Sequence, residues 1–212
     1  MTRVLLIRHG QSEANLRAVF AGHTDAPLSE LGFLQAEKTA EYITGKYYPD
    51  KVYASDLKRA FETGKAVADR LNMETVPCSE LREIYAGAWE NRPFQELIEG
   101  DKAYDTWRFD IGNAVCTDGE SVVELQNRIV RTINCLAEEN AGKTVVIATH
   151  ATPIRVFQCY CQGTPLEEMK DVPWVSNASV TEAVFDNGIW SLVEVGHDAH
   201  LGEMRSVLPK NV

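Results

Sequence analysis

Short apolar runs alternate along this chain with longer stretches in which apolar residues recur every three or four positions. Val4–Ile7 is a continuous apolar run of the kind carried by a strand buried on both faces. Ser29 is placed to cap a helix with Leu31, Leu34, Ala36, Ala40, Ile43 and Tyr47 among its apolar positions. Lys51–Ala54 predicts a second buried strand. Ser55 then marks the start of another helix, striped by Leu57, Ala60, Phe61, Val67, Ala68 and Leu71. Ser121-x-x-Glu124 is a capping box opening a helix with Val122, Leu125, Ile129, Ile133 and Leu136 inward, and Asn140-Ala-Gly142 ends it. Thr144–Thr149 predicts a central strand. Thr152-Pro153 begins a helix that stops near Gly163, proline being tolerated in a first turn. Val180–Phe185 and Ile189–Val195 flank Asp186-Asn187-Gly188, a hairpin turn signal. The alternation predicts an α/β sheet wrapped by helices, parallel at its centre with an antiparallel hairpin late in the chain. The stretch from about 84 to 118 fits it poorly and reads as a small cap insertion over one end of the sheet. Its Trp89, Tyr104, Trp107 and Phe109 suit either a leaving-group pocket or the core of the cap itself. No repeat or Gly/Ser-rich linker divides the chain, so 1–212 reads as one domain.

Composition narrows the partners. The 212 residues, 44% hydrophobic and 25% charged, can bury a full core without disulfides or metals. Lys and Arg number 21 against 31 Asp and Glu, a net charge of −10. That balance argues against nucleic acid or an anionic membrane as partner, since both need a basic face. A small phosphorylated substrate needs only a few cations gathered in one pocket. Cys78, Cys116, Cys135, Cys159 and Cys161 show no C-x-x-C spacing, which predicts free thiols in a reducing cytosol. The opening apolar run is too short for a secretory signal, and no stretch approaches a membrane span. A cytoplasmic location is expected, in which the glycosylation tripeptide Asn177-Ala178-Ser179 is idle. Oligomeric state, monomer or homodimer, stays open.

Two strands run into histidine: Val4–Ile7 into Arg8-His9-Gly10, and Thr144–Thr149 into His150. Ligands of open α/β sheets bind beyond the carboxyl ends of the strands, so parallel neighbours would bring both rings to one edge. Arg59 lies opposite the apolar stripe of its helix, the position of a solvated arginine, yet the first turn lets it bend over the strand edge. Gly142-Lys143-Thr144 has the ending of a P-loop, but Ala137 stands where the first glycine belongs and a strand follows. His197-Asp198-Ala-His200 offers two imidazoles and a carboxylate, too little for a metal site.

Leu6-Ile-Arg8-His9-Gly10-Gln-Ser12-Glu-Ala-Asn15 resembles the opening motif of the histidine phosphatase superfamily, the phosphoglycerate-mutase-like proteins. Further motifs follow in that family's order: Asp25-Ala-Pro27-Leu28-Ser29-x-x-Gly32, Ser55-Asp-Leu57-Lys-Arg59-Ala60-x-x-Thr63, Leu81-Arg82-Glu83 with Gly87-x-Trp89-Glu90, Gly119-Glu120-Ser121, and Ala148-Thr149-His150. The resemblance implies a three-layer sandwich with a mostly parallel mixed sheet, and a metal-independent, cofactor-free phosphomonoester hydrolase. It makes His9 the nucleophile that becomes phosphorylated, and Arg8 and Arg59 planar forks for the phosphate. It also makes His150 a phosphate donor, as imidazolium, and Glu83 the proton donor and later the base. Asn15, Ala21, Gly22 and the amide of Ala151 are implied as further phosphate contacts, with Glu13 and Glu90 as reserve acids.

Some positions depart from the family. Gln11 stands where many members have Glu, and Ala-Thr follows His150 where glycines are frequent. The cap lacks the longer basic insertion of the glycolytic mutases. The run Arg82-Glu83-Ile-Tyr-Ala-Gly-Ala-Trp-Glu90 looks like the small phosphatases, including broad-specificity and α-ribazole phosphate phosphatases, and the Asp198-x-His200-Leu201 tail resembles a stretch of that branch. A phosphoglycerate mutase, or a non-catalytic phospho-ligand-binding protein of the same fold, are the alternatives.

Overall fold

The computed structural model describes residues 1–206. Strand β1 (Thr2–Arg8) leads through a one-turn helix α1 (Glu13–Leu16) to α2 (Glu30–Lys46), β2 (Lys51–Ala54), α3 (Lys58–Arg70) and β3 (Thr75–Pro77). The cap segment holds α4 (Phe94–Gly100) and α5 (Lys102–Phe109). Helix α6 (Val122–Glu139), β4 (Thr144–Thr149), α7 (Ala151–Gln162) and the hairpin β5 (Val180–Asp186) and β6 (Ile189–His197) follow.

The strands form one sheet in the order β3-β2-β4-β1-β5-β6. Pairings from β3 to β1 are parallel, and those of β5 with β1 and β6 are antiparallel. Alternation along β1 sorts the core into two layers. Leu5 and Ile7 pack with Ala36, Ala40 and Ile43 of α2 and Val67 of α3. Val4 and Leu6 face the opposite cluster, with Leu125 and Ile129 of α6, Phe157 of α7 and the aromatics of the cap. The result is the expected three-layer α/β sandwich.

Local chemistry sets the boundaries. The Ser29 hydroxyl accepts from the Gly32 amide to open α2, and Ser121 and Glu124 form the capping box of α6. Gly163 ends α7 in the left-handed region at φ 65°. Asn187 and Gly188 take φ 49° and 83° in the hairpin turn.

The structure differs from the sequence expectations at four places. Helix α3 begins at Lys58, not Ser55, because Ser55 extends β2 by one residue and donates its amide to Ala148 O. Leu34 is exposed, and Gln35 and Thr39 hold the inner side of α2 instead. Both are bonded there: the Gln11 amide donates to Gln35 Oε1, and Thr39 Oγ1 donates to Ala178 O. Strand β3 has no counterpart in the sequence reading; it is three residues long and ends in proline. In the cap, Trp89, Tyr104 and Trp107 are buried around Phe20, whereas Phe109 is exposed.

Candidate active site

The carboxyl ends of three adjacent parallel strands bring the site together. His9 follows β1 and donates its amide to Thr149 O at 2.9 Å, Ser55 follows β2, and His150 follows β4. The His9 and His150 rings meet edge-on with centroids 5.2 Å apart. Arg8, His9, Asn15, Ala21, Gly22, Arg59, Glu83 and Ala151 all line one cavity of about 90 Å³, large enough for several water-sized groups. His150 lies beneath its floor, fully buried. Every residue that the resemblance implies for the phosphate site is thus gathered in or next to one pocket, while the reserve acids Glu13 and Glu90 do not line it. Phe20 and Trp174, which no motif flagged, line it as well.

The His9 ring has a defined tautomer. Nδ1 lies 2.7 Å from Gly10 O, a carbonyl that can only accept, so Nδ1 carries the proton and Nε2 the lone pair. Burial, reinforced by the charges of Arg59 and Arg8, holds the ring well below the ordinary histidine range, and it is neutral at pH 7. A neutral ring with a free Nε2 is a nucleophile.

Both arginines are locked by carbonyls. Arg8 Nη1 donates to Val175 O at 2.6 Å. Arg59 curls back from the first turn of α3 to donate to Gly22 O and Thr24 O at 2.7 and 2.8 Å, and is 1% exposed rather than solvated. Among the described residues, neither Nε has a partner. Two buried, oriented N–H donors on permanent cations are an anion cradle. Burial lowers Arg8 only to about 10, so it keeps its charge. Gly22 sits at φ +47°, and a Cβ there would meet Glu90 Oε1 and Ala86 Cβ, so only glycine lets this carbonyl reach Arg59.

His150 Nε2 lies 2.8 Å from Ser55 Oγ, which also accepts the Leu57 amide. With the hydroxyl proton given to Nε2, the imidazole proton sits on Nδ1, which is buried with no partner among the described residues. Burial, with Arg59 and His9 adding, holds this ring well below the ordinary range. The protein's own groups therefore make His150 neutral and a one-proton donor. The imidazolium implied by resemblance would need a phosphate dianion against it to offset that burial.

Glu83 is half-buried at the pocket wall. Its carboxylate accepts from Ile84 N at 2.9 Å and Thr152 N at 3.3 Å, and its carbonyl accepts from His23 Nε2. Glu90 is committed elsewhere: its oxygens accept from the amides of His23, Thr24 and Ala86 and from Thr24 Oγ1, so it staples the 21–24 loop to the cap. Asn15 Oδ1 accepts from Ser12 and from Asn177 Nδ2, which fixes the carboxamide and leaves its NH₂ for the pocket. Ala151 begins α7, whose positive end faces the same space.

Residues 4–198 match the profile of the histidine phosphatase superfamily, branch 1. The chain belongs to that superfamily. Adenosylcobalamin/alpha-ribazole phosphatase of Salmonella typhimurium is 34% identical over 194 residues, covering 91% of this chain and 90% of that protein. Phosphoglycerate mutase-like protein 4 of Arabidopsis thaliana is 30% identical over 206 residues, covering 94% and 87%. Among solved structures, a phosphoserine phosphatase variant from Entamoeba histolytica in complex with phosphoserine superposes with a TM-score of 0.84 at 27% identity, covering 95% of this chain and all of that one.

Several residues at this site, Phe20 among them, are not assigned to it from the sequence. Ser55 before a helical stripe predicts a helix start, although it holds the same strand-end position as His9 and His150. Asn177 was read only as part of an idle glycosylation tripeptide, yet its buried Nδ2 donates to His9 O at 3.0 Å. Trp174 carries no signal, being one aromatic in a loop.

Proposed function

We propose that residues 1–212 form a single-domain, metal-independent phosphomonoester hydrolase of the cytoplasm, acting on small phosphorylated metabolites through phospho-His9. The observation that carries the reading is the pairing of a neutral His9, proton on Nδ1, with two buried arginine Nε donors that lack protein partners. His9 Nε2 attacks phosphorus as the bond to the leaving oxygen breaks. Arg8, Arg59, Asn15, His150 Nδ1 and the Ala151 amide hold the equatorial oxygens, where charge accumulates. The backbone of Ala21 and Gly22 shapes the rim. Glu83 gives a proton to the departing alcohol, then takes one from the water that attacks phosphohistidine. The N–P bond breaks and inorganic phosphate leaves. The five cysteines are free thiols, in keeping with a reducing compartment. Positive charge is supplied by side chains, so no divalent ion is assigned a step.

Rapid quench of chelator-treated protein with labelled phosphomonoester tests this. An acid-labile, base-stable label should map to His9 and vanish in His9→Ala. Label on another residue, or turnover that needs added Zn²⁺ or Mg²⁺, overturns the reading.

A further inference from the structure

Beyond the phosphate cradle the pocket changes character. The apolar part of its lining is Val19, Phe20, Phe94, Trp107 and Trp174, with Ala21 and Ala151. The cations of the lining, Arg8 and Arg59, are both buried and both close enough to His9 for their charges to lower its pKa. No third cation lines the cavity among the described residues, and its one carboxylate is Glu83.

The walls are held rigidly. The buried Arg155 guanidinium lies 4.2 Å from the Trp174 ring centroid and donates to Val172, Met169 and Lys170 carbonyls, locking the loop that presents the indole. Opposite, Phe20 packs edge-on against Trp107 and Phe94 at 5.0 and 6.0 Å. A fixed aromatic slot gains from a flat apolar face. A carboxylate or second phosphate placed there loses its water and meets no cation among the described residues, only neutral donors such as the unpartnered indole Nε1 of Trp107.

We propose that this slot selects phosphomonoesters whose leaving alcohol is uncharged and bears a planar apolar group, and rejects those with an anionic group near the ester. Trp174 is its specificity-determining wall. The inference rests on the phosphatase reading. It also assigns this chain a preference different from the phosphoserine bound in the Entamoeba structure.

The test compares kcat/KM for 2-phenylethyl phosphate, ethyl phosphate, O-phosphoserine and 3-phosphoglycerate, all esters of alkyl alcohols, so that leaving-group chemistry does not decide the order. 2-Phenylethyl phosphate should exceed O-phosphoserine and 3-phosphoglycerate by roughly 100-fold, with ethyl phosphate between. Trp174→Ala should collapse the phenylethyl-to-ethyl ratio about tenfold or more, chiefly through KM, and Trp174→Phe should recover much of it. Hydrolysis of all four with O-phosphoserine or 3-phosphoglycerate equal or preferred would overturn the selectivity and leave the phosphatase reading standing. So would a ratio that Trp174→Ala leaves unmoved. No hydrolysis of any ester, p-nitrophenyl phosphate included, would overturn both.

Discussion

Glu83 is the only carboxylate lining the cavity among the described residues, and its proton matters most where the leaving oxygen is most basic. An alkoxide departs poorly without protonation, whereas p-nitrophenolate needs little help. General acid catalysis is worth about 10²–10⁴-fold, so Glu83→Gln should lose that much phosphorylation rate with an alkyl phosphate and far less with p-nitrophenyl phosphate. Single-turnover measurement isolates this step from the later activation of water. Equal losses for both esters would reduce Glu83 to positioning the phosphate. Glu90 could not then replace it, its oxygens being bonded to the 21–24 loop, and Glu13 is solvent-exposed on α1. Asn177 acts one step back. Its carboxamide joins the His9 carbonyl to Asn15, while the Ala178 amide also donates to the Arg8 and His9 carbonyls. Asn177→Ala leaves neither acceptor without a donor, so stability should fall by only about 1 kcal/mol. Asn15, then held by Ser12 alone, should nonetheless be less well aimed at a cost of roughly tenfold in kcat/KM, and Asn177→Asp should not restore it, having no N–H to give. Paired unfolding and kinetic measurements separate the two effects.

At the scale of elements, legibility followed the strength of the local signal. The strand ends that deliver His9 and His150 were readable because uninterrupted apolar runs stop at them, and α6 because its capping box and stripe agree. For Arg59, periodicity alone gives a solvated arginine, and the family motif is what points to the pocket it lines. The buried face of α3 runs through Thr63, Gly64, Ala66 and Val67, with Phe61 and Leu71 of the apolar stripe only half-buried, so Arg59 starts on the inner side and carbonyls of the 22–24 loop hold its guanidinium there; a helical wheel holds no record of another segment's carbonyls. Ser55 failed for a related reason: a serine before a helical stripe suits a cap, and the neighbouring strand that claims it is distant in sequence. Helices α4 and α5 and strand β3 are too short to establish a period. The loop at 175–179, which grips Arg8, His9 and Asn15, has no periodicity at all. It is buttressed by the tail, where Ser176 donates to Asp198, and His200 Nε2 donates to Thr39, which donates to Ala178 O. The Asp-x-His pair, which has no metal logic, is thus a strut behind the loop that holds His9.

Across the whole molecule, these buried imidazoles set the response to acid. His9 and His150 are held well below their ordinary value of 6.5, and His200 is lowered to about 4, burial being the first cause in each. His200 is faced by His197 of β6, by Tyr42 of α2 and by Asp198 and Arg205 of the tail, and its Nδ1 has no partner among the described residues. A folded pKa below the unfolded one means that the unfolded chain binds more protons between the two values. The stabilisation is therefore complete above pH 6.5 and is lost progressively as pH falls towards 4. The midpoint of thermal unfolding should hold between pH 8 and 7 and drop from pH 6 to 5, less steeply in His200→Gln. A flat profile over that range would mean that the rings titrate normally in the folded protein.

The strand order also dictates when this site can come into being. Strand β1, which runs into His9, is made before the other five strands, yet its neighbours in the sheet come late among them: Arg3 pairs with Thr144 and Thr2 with Phe185. At ribosomal speeds of 5–20 residues per second, roughly 10–40 s separate the emergence of Val4-Leu5-Leu6-Ile7 from that of the strand that closes over its open edge. During that interval a tetrapeptide that ends with no solvent exposure waits unpaired, a natural client for a chaperone that holds nascent chains. The pocket can close only once β5 has been made, and a ribosome stalled before Val180 carries His9 without the strand that completes its sheet.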